Sequence, residues 1–308
     1  MGISREKIIY GGWEDCLRLA NGTIEAVLTT AVGPRVIRYG LIGEENELAE
    51  VEADRGRTGG EKWRLYGGHR LWHGPEDPVR TYLPDNDPLS VREIPGGVVL
   101  RQAVEPETGI EKELEITLDP SGTRVSLLHR LTNRGLWPVR LAAWAITVMA
   151  PGGWEVIPQP EPAAGLLPDR VLALWPYSRL DDPRLTFSGR YILLRQDPAA
   201  TESFKLGLPN HPGWAGYFNR GRFFRKTHRH LSGFTYPDFG SSYETFTNSD
   251  LLEMESLSPL ILLPTEKAIE HREGWELFDN IPDPGPDSRA IDAALAPLHP
   301  VEMTGTPV

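Results

Sequence analysis

The stretch Leu89 to Met149 reads LSVREIPGGVVLRQAVEPETGIEKELEITLDPSGTRVSLLHRLTNRGLWPVRLAAWAITVM, and its punctuation decides the fold class. Runs rich in branched and aliphatic residues cover Val91 to Ile94, Val98 to Val104, Ile110 to Leu118, Arg124 to Asn133 and Val139 to Val148. Pro-Gly-Gly, Pro-Glu-Thr-Gly, Pro-Ser-Gly and Asn-Arg-Gly turns separate them, the pattern of antiparallel meanders. Within IEKELEITL the alternation sets Glu111, Glu113 and Glu115 against Ile110, Lys112, Leu114 and Ile116, which predicts a solvated face for the glutamates.

The same reading extends outward. Upstream, Cys16 to Leu19 and Thr23 to Thr29 flank Ala20-Asn21-Gly22, and an Asn-Gly pair between β-type runs predicts a hairpin. Gly33-Pro34 then breaks the pattern before a strand over Arg35 to Leu41, where Arg38 is a solvated side chain or a guanidinium for sugar hydroxyls or an anionic group. Downstream, the Pro- and Gly-rich residues Pro151 to Pro168 read as a loop, because short strands resume beyond them without a change of composition. The basic cluster Arg220, Arg222, Arg225, Lys226, His228, Arg229 and His230 predicts the outward face of an edge strand, where cations oppose aggregation. With many strands and almost no helix, the chain is expected to be all-β: one large antiparallel β-sandwich domain over 1–280. A tail over 281–308 follows, with a short helix near Ser288 to Leu295 and a mobile end.

Composition narrows the function classes. Lys and Arg number 32 against 43 Asp and Glu, for a net charge of -11, which argues against a nucleic-acid or anionic-membrane surface. The one cysteine, Cys16, excludes an intramolecular disulfide and reads as a small buried residue. The opening MGISREKIIYGGWED lacks an apolar signal core and no later run is long and apolar enough to span a bilayer, so a cytoplasmic soluble protein is expected.

Chemistry concentrates in two places. In WRLYGGHRLWHGPEDP, Trp63 to Pro78, the pair Gly67-Gly68 permits close backbone approach, and Trp63, Tyr66, His69, Arg70, Trp72, His73 and Glu76 surround it. Aromatic faces with bidentate polar groups suit a pyranose, which offers apolar C–H patches and a ring of hydroxyls. The spacing His69-x3-His73 would bring both imidazoles together on a helix, but Gly74-Pro75 ends any helix there, so no metal site is assigned. The Pro- and Asp-rich run Pro75 to Pro88 reads as a loop rimming a cleft. The second place is YPDFGSSYETFTNSDLLEMESLSPLILLPTEKAIEHREGW, Tyr236 to Trp275. A strand over Asp250 to Leu257 puts Leu251, Glu253, Glu255 and Leu257 on one face, and Leu252, Met254 and Ser256 on the other. Like charges on a mostly apolar face cost stability unless water, a cation or hydrogen-bond donors meet them, which makes this face a candidate site.

Together, YGGHRLWHGPEDP and LEMESLSPLILLPTEKAIEHREGWELF resemble the two signature regions of the galactose-mutarotase-like superfamily, the aldose 1-epimerases and hexose-phosphate mutarotases. His129 to Met149 is similar to that family's central strands, and the order of elements matches over roughly residues 10 to 278. The resemblance implies a supersandwich fold and interconversion of sugar anomers without a cofactor. A base takes the anomeric hydroxyl proton while an acid protonates the ring oxygen. It maps the base onto Glu255, with Glu253 as the alternative register, and polar binding groups onto His69 and Arg70. The chain departs from the family where the acid histidine belongs: Arg140 to Met149 holds Trp144 and Thr147 and no histidine. The acid then has to come from His69, His73, His228 or His230, or the epimerase chemistry is absent. Tyr66 stands where hexose-phosphate mutarotases carry an arginine, which speaks against a phosphorylated sugar. A lyase or glycosidase on the same fold is the second expectation, with Glu255 and Asp238, Glu244 or Glu76 flanking the bond. The third is a non-catalytic module binding a small sugar or oligosaccharide.

Overall fold

The computed structural model describes residues 2–161 and 165–299. The mobile end expected of the tail falls at 300–308, outside the described residues. An 11-stranded and a 10-stranded antiparallel sheet face each other, the sandwich expected from the meander. In the strand Leu252–Leu257, Leu252 and Met254 enter the main core between the sheets, while the neighbouring Leu251 and Leu257 join a second apolar cluster with Trp72 and Trp144. Period-2 alternation thus gives that strand an inner face and an outer face, as expected. The predicted hairpin is present: Trp13–Ala20 pairs with Ile24–Thr29, and Asn21 Oδ1 accepts hydrogen bonds from the backbone N–H groups of Thr23 and Ile24. Cys16 is buried. The helix Ser288–Leu295 is capped by Asp287, whose side chain accepts from the N–H groups of Arg289 and Ala290, and it buries Ile291 against the second sheet. Among the described residues no helix is long and apolar enough to cross a membrane.

Two expectations about charge are overturned. The strand Arg222–His228 lies inside the second sheet, between Trp214–Asn219 and Ala268–Phe278, and all its residues are buried. Its cations are neutralised by partners distant in sequence: Arg222 by Glu47, Arg225 by Glu276, and Lys226 by Glu273 at 2.8 Å. Glu113 is likewise buried, with Arg101 and Arg130 on its carboxylate. A carboxylate paired across strands costs less to bury than an isolated one, so alternation alone did not place it.

Between the sheets runs a polar chain. His129 Nδ1 lies 3.0 Å from the His271 carbonyl, which only accepts, so this nitrogen carries the proton. Burial holds the His69 and His129 imidazoles below their ordinary pKa and hence neutral. His129 Nε2 therefore accepts from His69 Nε2 at 2.7 Å, and His69 Nδ1 accepts from the Thr147 hydroxyl at 2.9 Å. Thr147 accepts in turn from Lys226 Nζ at 2.9 Å. Ser256 completes the chain by donating to Glu273 and lying 2.6 Å from His271 Nε2.

A second buried acid gives a pH dependence. Glu155 accepts from the Tyr243 hydroxyl at 2.5 Å, and burial first of all, with Glu255 nearby, pushes its pKa up to about 8. A carboxyl raised in the folded state binds its proton more tightly there than in the unfolded chain. Its stabilising contribution is present below the ordinary carboxyl pKa and is lost as pH rises toward 8. Urea unfolding should show stability falling by at most about 1.4 kcal/mol per pH unit from this group across that window. Glu155→Gln should flatten the decline; an unchanged profile in the variant would remove Glu155 as its source.

Candidate functional site

Register assembles the site on the outer face of the 11-stranded sheet. Its central strands run in the order Arg35–Leu41, His69–Gly74, Val139–Met149, Leu252–Leu257, Tyr243–Thr247 and Phe204–Leu208. Residues directly opposite in antiparallel strands point to the same face, so the pairings define rows across the sheet. One row is Val148, Glu253, Phe246 and Lys205. The next is Arg70, Ile146, Glu255, Glu244 and Gly207, and the third brings Trp72 beside Trp144 and Leu257. Tyr66, Gly67 and Gly68 lead into this face with positive φ values of 57°, 88° and 69°. A Cβ on Gly67 would lie 2.2 Å from the Ala49 carbonyl oxygen and one on Gly68 2.2 Å from that of Val36, so glycine is required at both.

Above these rows lies a cleft of about 210 Å³. Trp63, Trp72, Trp144 and Tyr82 form its aromatic wall, with ring centroids 5.2–5.4 Å apart along the Trp63–Tyr82, Trp72–Tyr82 and Trp72–Trp144 contacts. The Arg70 guanidinium stacks 4.3 Å from the Trp72 ring and directs Nη1 and Nη2 to Glu253 Oε1, both at 3.1 Å. Glu253 Oε2 is the oxygen that Arg70 does not engage. Glu76 reaches the cleft from the Pro75–Pro88 loop and accepts from the Tyr82 hydroxyl at 2.5 Å.

The floor is a buried ion cluster. Lys205 Nζ lies 2.9 Å from Glu244 Oε2 and 3.0 Å from Glu255 Oε2, and 4.6 Å from the Trp144 and Trp175 ring centroids. The Trp144 indole donates to Glu255 Oε2 at 2.8 Å, while Glu255 Oε1 has no hydrogen-bond partner among the described residues. Burial raises the Glu244 and Glu255 carboxyls above their ordinary range, Glu244 the more strongly, against the pull of Lys205. Burial opposes the Lys205 charge, but the two carboxylates outweigh it and hold the ammonium protonated.

The structure brings Arg70, Trp72, Glu76 and Glu253 to the cleft wall, and Glu244 and Glu255 beneath it. His69 and His73 do not reach it. In the strand His69–Gly74 the outward residues are Arg70 and Trp72, so His69 and His73 point the other way. His69 ends in the interior polar chain. His73 Nε2 lies 3.3 Å from Glu105 on a separate groove that Arg80 and Leu141 also line. Four residues of strand also set the two backbones about 13 Å apart, and the imidazoles turn to different partners, His129 and Glu105. His228 stacks on Tyr243 and His230 on Tyr236, and neither lines the cleft. Tyr66 is buried with its hydroxyl donated to Asn86 at 2.8 Å, and Arg38 pairs with Glu25 at 2.6 Å away from the cleft. Asp238 sits at φ 47° in the turn Pro237–Gly240, close enough to Glu244 to raise its pKa, and does not line the cleft. His69, His129 and Glu273 do present metal-type donor atoms within 4.8 Å of one another. Those donors do not fit an ion, because their lone pairs are taken by hydrogen bonds and Lys226 already supplies the positive charge.

Lys205, Tyr82, Tyr177, Phe246 and Asn248 also line the cleft and were not read as site residues. Period-2 alternation in FKLGL would have shown Lys205 on the face opposite the core residues Phe204 and Leu206, but nothing local joined it to the glutamates.

No family model matches the chain, and no curated protein matches it in sequence. Solved structures do share its architecture. The mutarotase candidate YeaD from Salmonella typhimurium superposes with a TM-score of 0.58 at 12% identity, over 90% of this chain and 94% of that one. The fold is galactose-mutarotase-like. An aldose 1-epimerase candidate from Klebsiella pneumoniae gives 0.56 at 11% identity, over 99% of this chain and 90% of that one. A galactose mutarotase-like protein from Lactobacillus casei gives 0.53 at 10% identity, over 85% and 100%. At these identities the galactose-mutarotase-like comparison carries the fold and leaves function to the site.

Proposed function

We propose that the cleft binds a small sugar and interconverts its anomers. The observation that carries this reading is the placement of Glu253, a carboxylate with one oxygen fixed by Arg70, beside the aromatic wall of Trp63, Trp72 and Trp144. Indole faces accept the apolar C–H side of a pyranose, while Arg70, Glu76 and Asn248 meet its hydroxyls. Glu253 replaces Glu255 as the base in this reading, because Glu255 lies under Trp144 and Lys205 whereas Glu253 lines the cleft. Its free oxygen takes the anomeric hydroxyl proton, the ring opens, and rotation about C1–C2 before closure gives the other anomer.

NMR exchange spectroscopy of α-D-glucose and α-D-galactose tests the reading. Catalytic amounts of protein should raise the anomerisation rate of at least one sugar tenfold or more above buffer. Binding without acceleration would support a sugar-binding module instead. That second reading has its own support, since among the described residues no imidazole lines the cleft and both its cations are already paired with carboxylates.

A further inference from the structure

Among the described residues no histidine lines the cleft to supply the proton for the ring oxygen, and the ion cluster on the floor offers another source. Lys205 and Glu253 lie in one row with Phe246 between them. Two inter-strand steps separate their backbones by about 10 Å, and both side chains line the same cleft. Lys205 is the only described residue that both lines the cleft and touches the Glu244–Glu255 pair through its charged end. Glu244 and Glu255 are directly opposed across adjacent strands, and one ammonium serves both carboxyls. Two like charges held this close to one cation, out of water, favour retention of one proton by the pair.

We propose that Lys205 is the acid-side catalytic residue of the cleft and that Glu244 and Glu255 are positioning residues that hold the proton it delivers. The inference rests on the mutarotase reading above. As Glu253 takes the proton from the anomeric oxygen, the C1–O5 bond breaks and its electron pair passes to O5, leaving a carbonyl at C1. O5 takes a proton from Lys205 Nζ while the nitrogen takes the one held by the carboxyl pair. Glu253 thereby gains one proton and the pair loses one. Closure on the other face returns both, so no co-reactant is needed.

The charged groups around the relay come from every neighbouring element. Arg70 and Glu253 stand on the cleft side, Asp238 beside Glu244, and Glu155 and Lys226 beneath Glu255. Tyr82, Tyr177 and Glu76 face Lys205 from the rim.

Anomerisation rates and their pH profiles, measured with Lys205→Met and Glu244→Gln, test the relay. Tryptophan fluorescence titration with the accelerated sugar reports binding in parallel. Lys205→Met should lose at least a hundredfold in rate while sugar affinity stays within about threefold. Glu244→Gln keeps the shape of the floor and leaves Glu255 alone beside the ammonium, where it ionises at lower pH. The alkaline limb of its rate profile should therefore move down by a pH unit or more. General structural damage would lower the amplitude without moving the limb. Wild-type acceleration that survives Lys205→Met within threefold, or an unmoved limb in Glu244→Gln, overturns the relay and leaves the mutarotase reading standing. If Lys205→Met does not fold, the limb in Glu244→Gln decides alone. No acceleration by the wild type removes both.

Discussion

Lys226→Met is expected to destabilise the fold by about 3–5 kcal/mol, the cost typical of removing one partner from a buried ion pair. Lys226 Nζ donates to the Ala145 and Met254 carbonyls at 3.1 and 2.9 Å and to Thr147, and lies 2.8 Å from Glu273 Oε1. Methionine fills much of the space but leaves the Glu273 carboxylate with Ser256, the Trp275 indole and the neutral His69 imidazole at 3.8 Å, and without the cation that neutralised it. It also takes away the donor to the Thr147 hydroxyl, which bonds in turn to His69. Chemical denaturation followed by tryptophan fluorescence measures the loss. Lys226→Met combined with Glu273→Gln should recover part of it, because no uncompensated charge then remains. A single variant within 1 kcal/mol of wild type would show that the chain is not held as described.

The second large effect concerns the cleft. Glu253→Gln should lower the anomerisation rate by about 10²–10⁴-fold, since an amide cannot take the anomeric proton. Arg70 can still donate to the amide oxygen, so the cleft keeps its shape and sugar affinity should change little. Glu255→Gln should act differently. That residue touches Lys205 and Trp144 rather than the cleft, so its loss should shift the pH profile more than it lowers the maximum. If Glu255→Gln abolishes the rate and Glu253→Gln spares it, the base is assigned to the wrong carboxylate.

How far the site was legible follows from which interactions are local. Alternation in LEMESL placed both glutamates on the outer face, because Leu252 and Met254 could only go inward. The choice between them needed the neighbouring strands, since Trp144 and Lys205 cover Glu255 and leave Glu253 open. HRLWH between Gly68 and Gly74 concentrates polar side chains, yet as a strand it sends Arg70 and Trp72 to one side and His69 and His73 to the other. Lys205 stands alone in its strand and acquires a role only through pairings with residues some forty to fifty positions later. The buried basic strand Arg222–His228 was opaque for the same reason, because Glu47, Glu273 and Glu276, which neutralise it, belong to other elements.

The Trp63–Arg70–Trp72–Glu253 cleft is the proposed sugar site. A crystal structure of the protein soaked with the sugar that it anomerises or binds most tightly tests it directly. A pyranose is expected against the indole wall, with its anomeric hydroxyl within hydrogen-bond distance of Glu253 and its ring oxygen facing Lys205. A sugar seated in the His73 groove or elsewhere on the surface, with this cleft empty at saturating concentration, would contradict it.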